Sequence, residues 1–97
     1  MVLIINKDST NINYNDENII VLRSVCDLKT YECTSYTIVL IDIEIDDEGI
    51  VEKYNFPFEE LIITLDVVAV ITNKKSNTLQ EICNYHKIPL LVNKYWK

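Results

Sequence analysis

The sequence predicts a single small domain, residues 1–97, of the α/β or α+β class, with two helices and a mixed sheet of five to six strands. Ninety-seven residues, 48% of them hydrophobic, are enough for one core and too few for two domains. Fifteen Ile residues against a single Ala favour strands over a helical bundle. Two segments nevertheless show the 3.6-residue apolar periodicity of helices.

The N-terminal third predicts two strands separated by a polar loop. Val2 to Asn6 is a short apolar run, and Ile19 to Val25 is a second one and a candidate hairpin partner of the first. Asn6 to Asn18 is rich in Asn and Asp, whose side chains favour loops by bonding to nearby backbone groups. A loop of this length raises the question of a binding role, but an irregular excursion is the plainer interpretation.

The longest strand pattern, Tyr36 to Phe56, predicts a central β-hairpin. Alternate residues from Thr37 to Ile45 are apolar or β-branched and fall on one face of a strand. Residues 46–49 predict the turn, because Gly49 is the only glycine in the chain and accepts positive φ. The remaining residues, 50–56, are expected to return as the partner strand.

The second half of the chain alternates helix and strand. Pro57 to Leu65 predicts a helix, Asp66 to Thr72 a strand buried on both faces, Ser76 to Lys87 a helix with a capping box at Thr78 and Glu81, and Ile88 to Val92 a strand. The last three elements predict a C-terminal βαβ unit. This unit is similar in outline to the strand–helix–strand unit of many Rossmann-like proteins, and the likeness carries no functional motif.

Charge and cysteine content narrow the compartment and the class of partner. The net charge of −6 disfavours direct binding to nucleic acid or to anionic membranes, since both depend on Lys and Arg. No apolar run has the length of a signal-peptide core or a membrane span. Three cysteines without CxxC spacing favour a reducing compartment. We therefore expect a cytoplasmic protein, and the scarcity of residues with GC-rich codons favours a phage, viral or AT-rich bacterial source.

Six carboxylates lie within eleven residues of the predicted hairpin: Asp42, Glu44, Asp46, Asp47, Glu48 and Glu52. On a strand, the first three would project from one face about 6.8 Å apart. We interpret the six as an acidic ridge, although an ordinary solvated strand face accounts for the same residues. The predicted function is a non-enzymatic inhibitor, either an anti-defence protein such as an anti-CRISPR or an immunity protein. It would mimic nucleic acid and occupy a basic surface of a host protein or nuclease complex.

Two other functions fit the sequence. Lys74, Lys75 and Ser76 lie between a predicted strand end and a helix N-terminus, where parallel sheets bind ligands, so a small-ligand or nucleotide sensor is the first alternative. The loop Asn73–Thr78 has no glycine, which weakens it as a phosphate site. The second alternative is a self-associating subunit, such as a homodimer. Residues 1–66 carry a net charge of −10 and residues 67–97 of +4, which favours head-to-tail contact.

No catalytic residue, metal site or cofactor is predicted. Cys83 and His86 have the i, i+3 spacing of two metal ligands, but the chain has no second histidine. A core cysteine and a helix-end histidine explain them better. Nuclease chemistry through the carboxylates would require a catalytic lysine at a fixed spacing on the same strand, and none is present. Tyr95 and Trp96, flanked by lysines, are more consistent with packing than with base stacking.

Overall fold

The computed structural model describes residues 2–7, 19–21, 35–52 and 54–93. These ranges contain seven regular elements, in the chain order β1 (Val2–Asn6), β2 (Ile19–Val21), β3 (Ser35–Ile41), α1 (Phe58–Thr64), β4 (Asp66–Thr72), α2 (Asn77–Tyr85) and β5 (Leu90–Val92). The described part of the chain is therefore a small α+β domain with two helices and one sheet.

The sheet is parallel throughout. Its strand order is β2-β1-β3-β4-β5, and each of the four pairings between neighbours is parallel. The prediction that the sheet is mixed is therefore wrong, and so is the candidate hairpin between the first two strands. The connection that leaves β1 leads to β2 on one side of the sheet, and the connection that leaves β3 leads to β4 on the other side. The direction of the connections therefore changes between β1 and β3. That position is the topological switch point of the sheet.

The predicted C-terminal βαβ unit is confirmed by β4, α2 and β5. Helix α2 begins after Ser76, whose Oγ accepts a hydrogen bond of 3.2 Å from the N–H of Leu79, so the cap is Ser76 and not Thr78. The helix ends in a Schellman motif. The N–H of Ile88 donates to the carbonyl of Cys83 at 2.8 Å, and Lys87 adopts φ +59° at the position that glycine usually occupies.

Both helices contribute to a core on one face of the sheet. The sheet supplies Leu3, Ile5, Tyr36, Ile38, Leu40 and Val70, and the helices supply Phe58, Leu61, Leu79 and Cys83, all of them buried. Ile43, Ile45, Val51 and Phe56, from the chain between β3 and α1, belong to the same core. The chain between β3 and α1 is therefore part of the folded domain and not an arm that extends from it.

The predicted central hairpin is wrong. Strand β3 ends at Ile41, and Asp42 adopts φ +55°, which turns the chain out of the sheet. Beyond it, isolated antiparallel bridges join Ile45 to Val51 and Ile50 to Pro57, and the described residues form no second strand there. The apolar alternation continues past the end of β3 because Ile43 and Ile45 point into the core from an extended chain that has left the sheet. Its antiparallel contacts are short: the N–H of Glu52 donates to the carbonyl of Glu44 at 3.0 Å, and the N–H of Asp46 to the carbonyl of Ile50 at 3.2 Å.

Candidate functional site

The residues that form the candidate site are those of the acidic segment, by which we mean residues 42–52. The segment starts at the carboxyl end of β3 and is anchored on the side of α2. The hydroxyl of Ser76, the cap of α2, donates a long hydrogen bond of 3.5 Å to the carbonyl of Ile45. At the other end, the N–H of Phe58 donates to the carbonyl of Gly49 at 2.8 Å. The acidic segment is thus fixed to both helices.

Asp46 and Gly49 make the turn in the middle of the acidic segment. Oδ1 of Asp46 accepts hydrogen bonds from the N–H groups of Glu48 and Ile50, each 2.9 Å long, and its carbonyl accepts from the N–H of Gly49 at 2.9 Å. Gly49 is buried with φ +82°, a backbone conformation in which an L side chain is strained. The turn predicted at residues 46–49 is confirmed, and the carboxylate of Asp46 serves to hold it.

Asp42 connects the carboxyl ends of β3 and β4. Its N–H donates to Oδ1 of Asn73 at 2.8 Å, and Nδ2 of Asn73 donates back to Oδ1 of Asp42 at 3.0 Å. Aspartate tolerates the left-handed conformation better than most residues, because its short side chain can bond locally. This reciprocal pair gives Asp42 a structural role.

Two lysines pair with carboxylates of the acidic segment. Nζ of Lys7, which follows β1, lies 3.0 Å from Oε1 of Glu52, and Nζ of Lys74 lies 3.6 Å from Oε1 of Glu44. The hydrogen bond and the charge of Glu52 raise the pKa of Lys7, and the charges of Glu44 and Asp42 add to the effect. Lys7 is therefore fully protonated at neutral pH, while its exposure keeps the ion pair in contact with solvent.

The six carboxylates do not form the evenly spaced ridge that a strand would give, because β3 ends before the first of them. Asp42 and Asp46 hold backbone, and Glu44 and Glu52 pair with lysines. Asp47 and Glu48 remain at the tip of the turn, with their side chains exposed. The predicted one-sided array is wrong in geometry, but the structure does gather the six acids at one end of the domain.

Two cavities border the acidic segment. The larger, about 480 Å³, is lined by Glu44, Ile45, Asp46, Ile50, Val51, Glu52 and Asn55. The smaller, about 280 Å³, lies at the N-terminus of α2 and brings Lys74, Lys75 and Ser76 together with Glu44 and Asp47. The predicted anion-binding residues are therefore adjacent to each other, but two carboxylates line the same space. The hydroxyl of Ser76 is already used to cap α2.

Lys7 was not predicted as a component of this region, and Asn73 was predicted only as the first residue of the loop Asn73–Thr78, not as the partner of Asp42. Each directly follows a strand, Lys7 after β1 and Asn73 after β4. Carboxyl ends of parallel strands meet at one edge of a sheet, so the two positions could have been found if the sheet had been predicted as parallel. The expectation of a mixed sheet concealed this signal.

Of the remaining residues considered as metal ligands or binding groups, the structure describes Cys83 and His86. Cys83 is buried in the core, and burial raises the pKa of its thiol to about 11, so the thiol is protonated and unreactive at neutral pH. Nε2 of His86 lies 2.9 Å from Oε2 of Glu59 and joins α2 to α1. No group of three or more His, Cys, Asp or Glu residues positioned for a metal ion occurs within the described ranges. Cys26, Cys33, Tyr95, Trp96 and the loop residues 8–18 lie outside them.

Comparison with known proteins identifies no relative. The chain matches no protein-family model and has no significant match among curated proteins or solved structures. In the part of the chain that the structure describes, no helix is long and apolar enough to cross a membrane.

Proposed function

We propose that this protein is a non-enzymatic binding protein that docks its acidic segment on a basic surface of a partner protein. The observation that carries the proposal is the pair of exposed carboxylates, Asp47 and Glu48, on a turn that Asp46 holds by two hydrogen bonds of 2.9 Å each. A charged surface that is already ordered before binding loses little conformational entropy on contact. The geometry therefore suits recognition by a preformed surface.

The electrostatics favour a basic partner. The acidic segment carries six carboxylates, and the ion pairs that the described residues make with it come from Lys7 and Lys74. The excess of negative charge at this end, together with the net charge of −6, attracts a positive surface over a distance of about one Debye length, roughly 8–10 Å at physiological salt. A surface that otherwise binds nucleic acid has this character. We accordingly propose a cytoplasmic inhibitor of a nuclease or nucleic-acid-binding complex, of the anti-defence or immunity type.

The test reverses charge where the structure permits it. Asp42 and Asp46 are unsuitable because they hold the edge of the sheet and the turn, so the informative variant is Asp47→Lys/Glu48→Lys. The matched control is Glu60→Lys/Glu81→Lys, which reverses two exposed acids on the helices. Circular dichroism and thermal unfolding establish that both variants remain folded. The two variants have the same net charge, so they differ only in where the charge was changed.

The measurement is capture of host proteins on immobilised protein at low salt, followed by mass spectrometry of what elutes as salt rises. We expect the wild type and the control to retain a basic protein that Asp47→Lys/Glu48→Lys does not retain. Duplex DNA in the wash should displace that protein, because it competes for the same basic surface. Equal capture by all three forms, or equal loss from both variants, would show that the acidic segment is not the docking surface.

A second candidate function is favoured by the smaller cavity. It lies at the carboxyl edge of a parallel sheet and contains Lys74 and Lys75 at the N-terminus of α2, a position suited to a small anionic ligand. Glu44 and Asp47 line the same cavity and oppose an anion, which is why this candidate ranks second. Thermal-shift assays with nucleotides test it. Stabilisation that disappears in Lys74→Ala/Lys75→Ala supports a ligand sensor, and the absence of any shift removes this candidate.

A further inference from the structure

The larger cavity is an open groove with an aliphatic floor and an acidic rim. Its volume of about 480 Å³ falls within the range of ligand clefts, roughly 300–1,000 Å³. Ile50, which is partly buried, supplies the accessible apolar surface, and Ile45 and Val51 lie behind it in the core. Glu44, Asp46 and Glu52 supply carboxylates. Among the described residues that line the groove, none is basic. This combination limits the chemistry of an occupant to a group that is both apolar and cationic.

The position of the groove is a second, independent observation. Glu52 lines the groove and also contacts Lys7, the residue that follows β1. The N–H of Lys7 donates to the carbonyl of Ile41, the last residue of β3, at 3.1 Å. One rim residue of the groove thus contacts the carboxyl end of β1, beside the topological switch point, while the lining residues themselves all lie between residues 44 and 55. Open parallel sheets bind ligands at the switch point, because the connections diverge there and leave a crevice.

We propose that the groove receives an arginine side chain of the basic partner; this inference rests on the proposed function and names what the partner inserts. An arginine places its methylene stem on an aliphatic surface while its guanidinium stays at the polar edge. Its planar fork of N–H donors matches carboxylates in a bidentate manner, which the point charge of lysine does not. The floor and the rim of the groove thus each have a partner on the same side chain.

The existing ion pairs leave acceptor capacity for this contact. Lys7 contacts Oε1 of Glu52, and Lys74 contacts Oε1 of Glu44. An ionised carboxylate offers about four lone-pair sites on its two oxygens, so each can accept from a second cation. Other classes of occupant fit less well. A phosphate group would face three carboxylates, and a purely apolar group would desolvate those carboxylates without compensation.

The test uses three synthetic nine-residue peptides that share Gly and Ser spacers and differ at three positions. These positions are all arginine in the first peptide, all lysine in the second and all neutral citrulline in the third. Binding to the wild type is followed by ¹⁵N-resolved NMR titration at low salt. We expect the arginine peptide to bind about fivefold more tightly than the lysine peptide, because the fork adds a charge-assisted hydrogen bond. The largest shifts should occur at the amides of Ile45, Ile50 and Val51. Binding of the citrulline peptide should not be measurable.

Two single substitutions locate the binding. Asn55→Lys puts a cation at the lining of the groove, and Asn84→Lys adds the same charge at an exposed position of α2. Because lysine is strained at the φ of +54° that Asn55 adopts, Asn55→Gln supplies a neutral side chain with similar strain and should bind the arginine peptide as the wild type does. We expect the arginine peptide to bind Asn55→Lys at least about fivefold more weakly than Asn84→Lys. Equal affinity for the two variants, or for the arginine and lysine peptides, overturns the arginine proposal. Free arginine amide that binds as tightly as the peptide overturns it as well, because the occupant would then be a small molecule.

The outcome for the arginine proposal is separable from the outcome for the docking function. If the arginine proposal fails while Asp47→Lys/Glu48→Lys still abolishes capture of the host protein, the acidic segment docks by general charge attraction alone. If the capture experiment fails as well, the docking function itself is wrong.

Discussion

The βαβ unit and the acidic segment pack on the same core but are stabilised differently. Helix α2 of the βαβ unit buries Leu79 and Cys83 and has a side-chain cap and a Schellman motif. The acidic segment has no regular element, and its turn depends on the carboxylate of Asp46 and the positive φ of Gly49. Both regions bury apolar side chains, Ile43 and Val51 among those of the acidic segment. The acidic segment has no helix or strand to set its backbone, so its shape depends more on conformation at a few residues. A substitution should have a different cost in each.

The largest effect is expected in the βαβ unit. Leu79→Ala removes a side chain that is 1% exposed and should lower the free energy of unfolding by about 2–5 kcal/mol, since it leaves a cavity in the core. Urea denaturation measures this. Tyr85→Ala is the control on the same helix, because Tyr85 is 79% exposed and its loss should have little effect. Similar costs for the two variants would contradict the packing of α2 described above.

The second prediction concerns two residues with positive φ, Gly49 in the acidic segment and Lys87 at the end of α2. Gly49→Ala should destabilise the protein by about 1–2 kcal/mol, because an L-residue at φ +82° is strained. Lys87→Gly should stabilise it by up to about 1 kcal/mol, because it relieves the same strain at φ +59° in the Schellman motif. Thermal unfolding of both variants gives the two signs.

Asn55→Gly is the control for these two substitutions. Asn55 has φ +54°, but asparagine adopts this conformation more readily than alanine or lysine, so its replacement should change stability least. A destabilising Lys87→Gly would mean that the lysine side chain contributes more than its backbone strain costs. A neutral Gly49→Ala would mean that the turn of the acidic segment is not the rigid element inferred here.

The same contrast explains which parts of the fold could be predicted. The strands Val2–Asn6 and Asp66–Thr72 were predicted with the observed bounds, because short apolar runs are typical of strands in a parallel sheet. The predicted burial of Asp66–Thr72 on both faces is wrong, since Val68 is 50% exposed. Strand β5 begins at Leu90 and not at Ile88, since the Schellman motif extends to Ile88 and Pro89 has no N–H to donate to the neighbouring strand. Signals that are local and repeated along several residues were sufficient in this region.

The prediction of a hairpin in the acidic segment was wrong for a physical reason. The alternation through Ile43 and Ile45 shows that alternate residues are buried, but not whether the extended chain pairs with another strand or packs alone. The end of β3 depends on Asp42, whose conformation is supported by Asn73, 31 residues further along the chain. The contact of Lys7 with Glu52 likewise depends on the strand order. The acids were visible in the sequence, and their internal partners were not.

The smallest expected effect concerns the ion pair between the acidic segment and β1. Glu52→Gln keeps a side chain of similar size but removes its charge, so the pKa of Lys7 should fall from its raised value towards the ordinary 10.5. A pH titration of the Lys7 ammonium signals by NMR, at low and high salt, measures the shift, and Glu60→Gln is the control with the same change in net charge. Because both partners contact solvent, the urea unfolding curve should stay almost unchanged. If Glu52→Gln lowers the free energy of unfolding as much as Gly49→Ala does, the acidic segment is held by its ion pairs and not by its backbone conformation. If the pKa of Lys7 does not move, the ion pair does not form in solution, and Glu52 is then fully available to a partner.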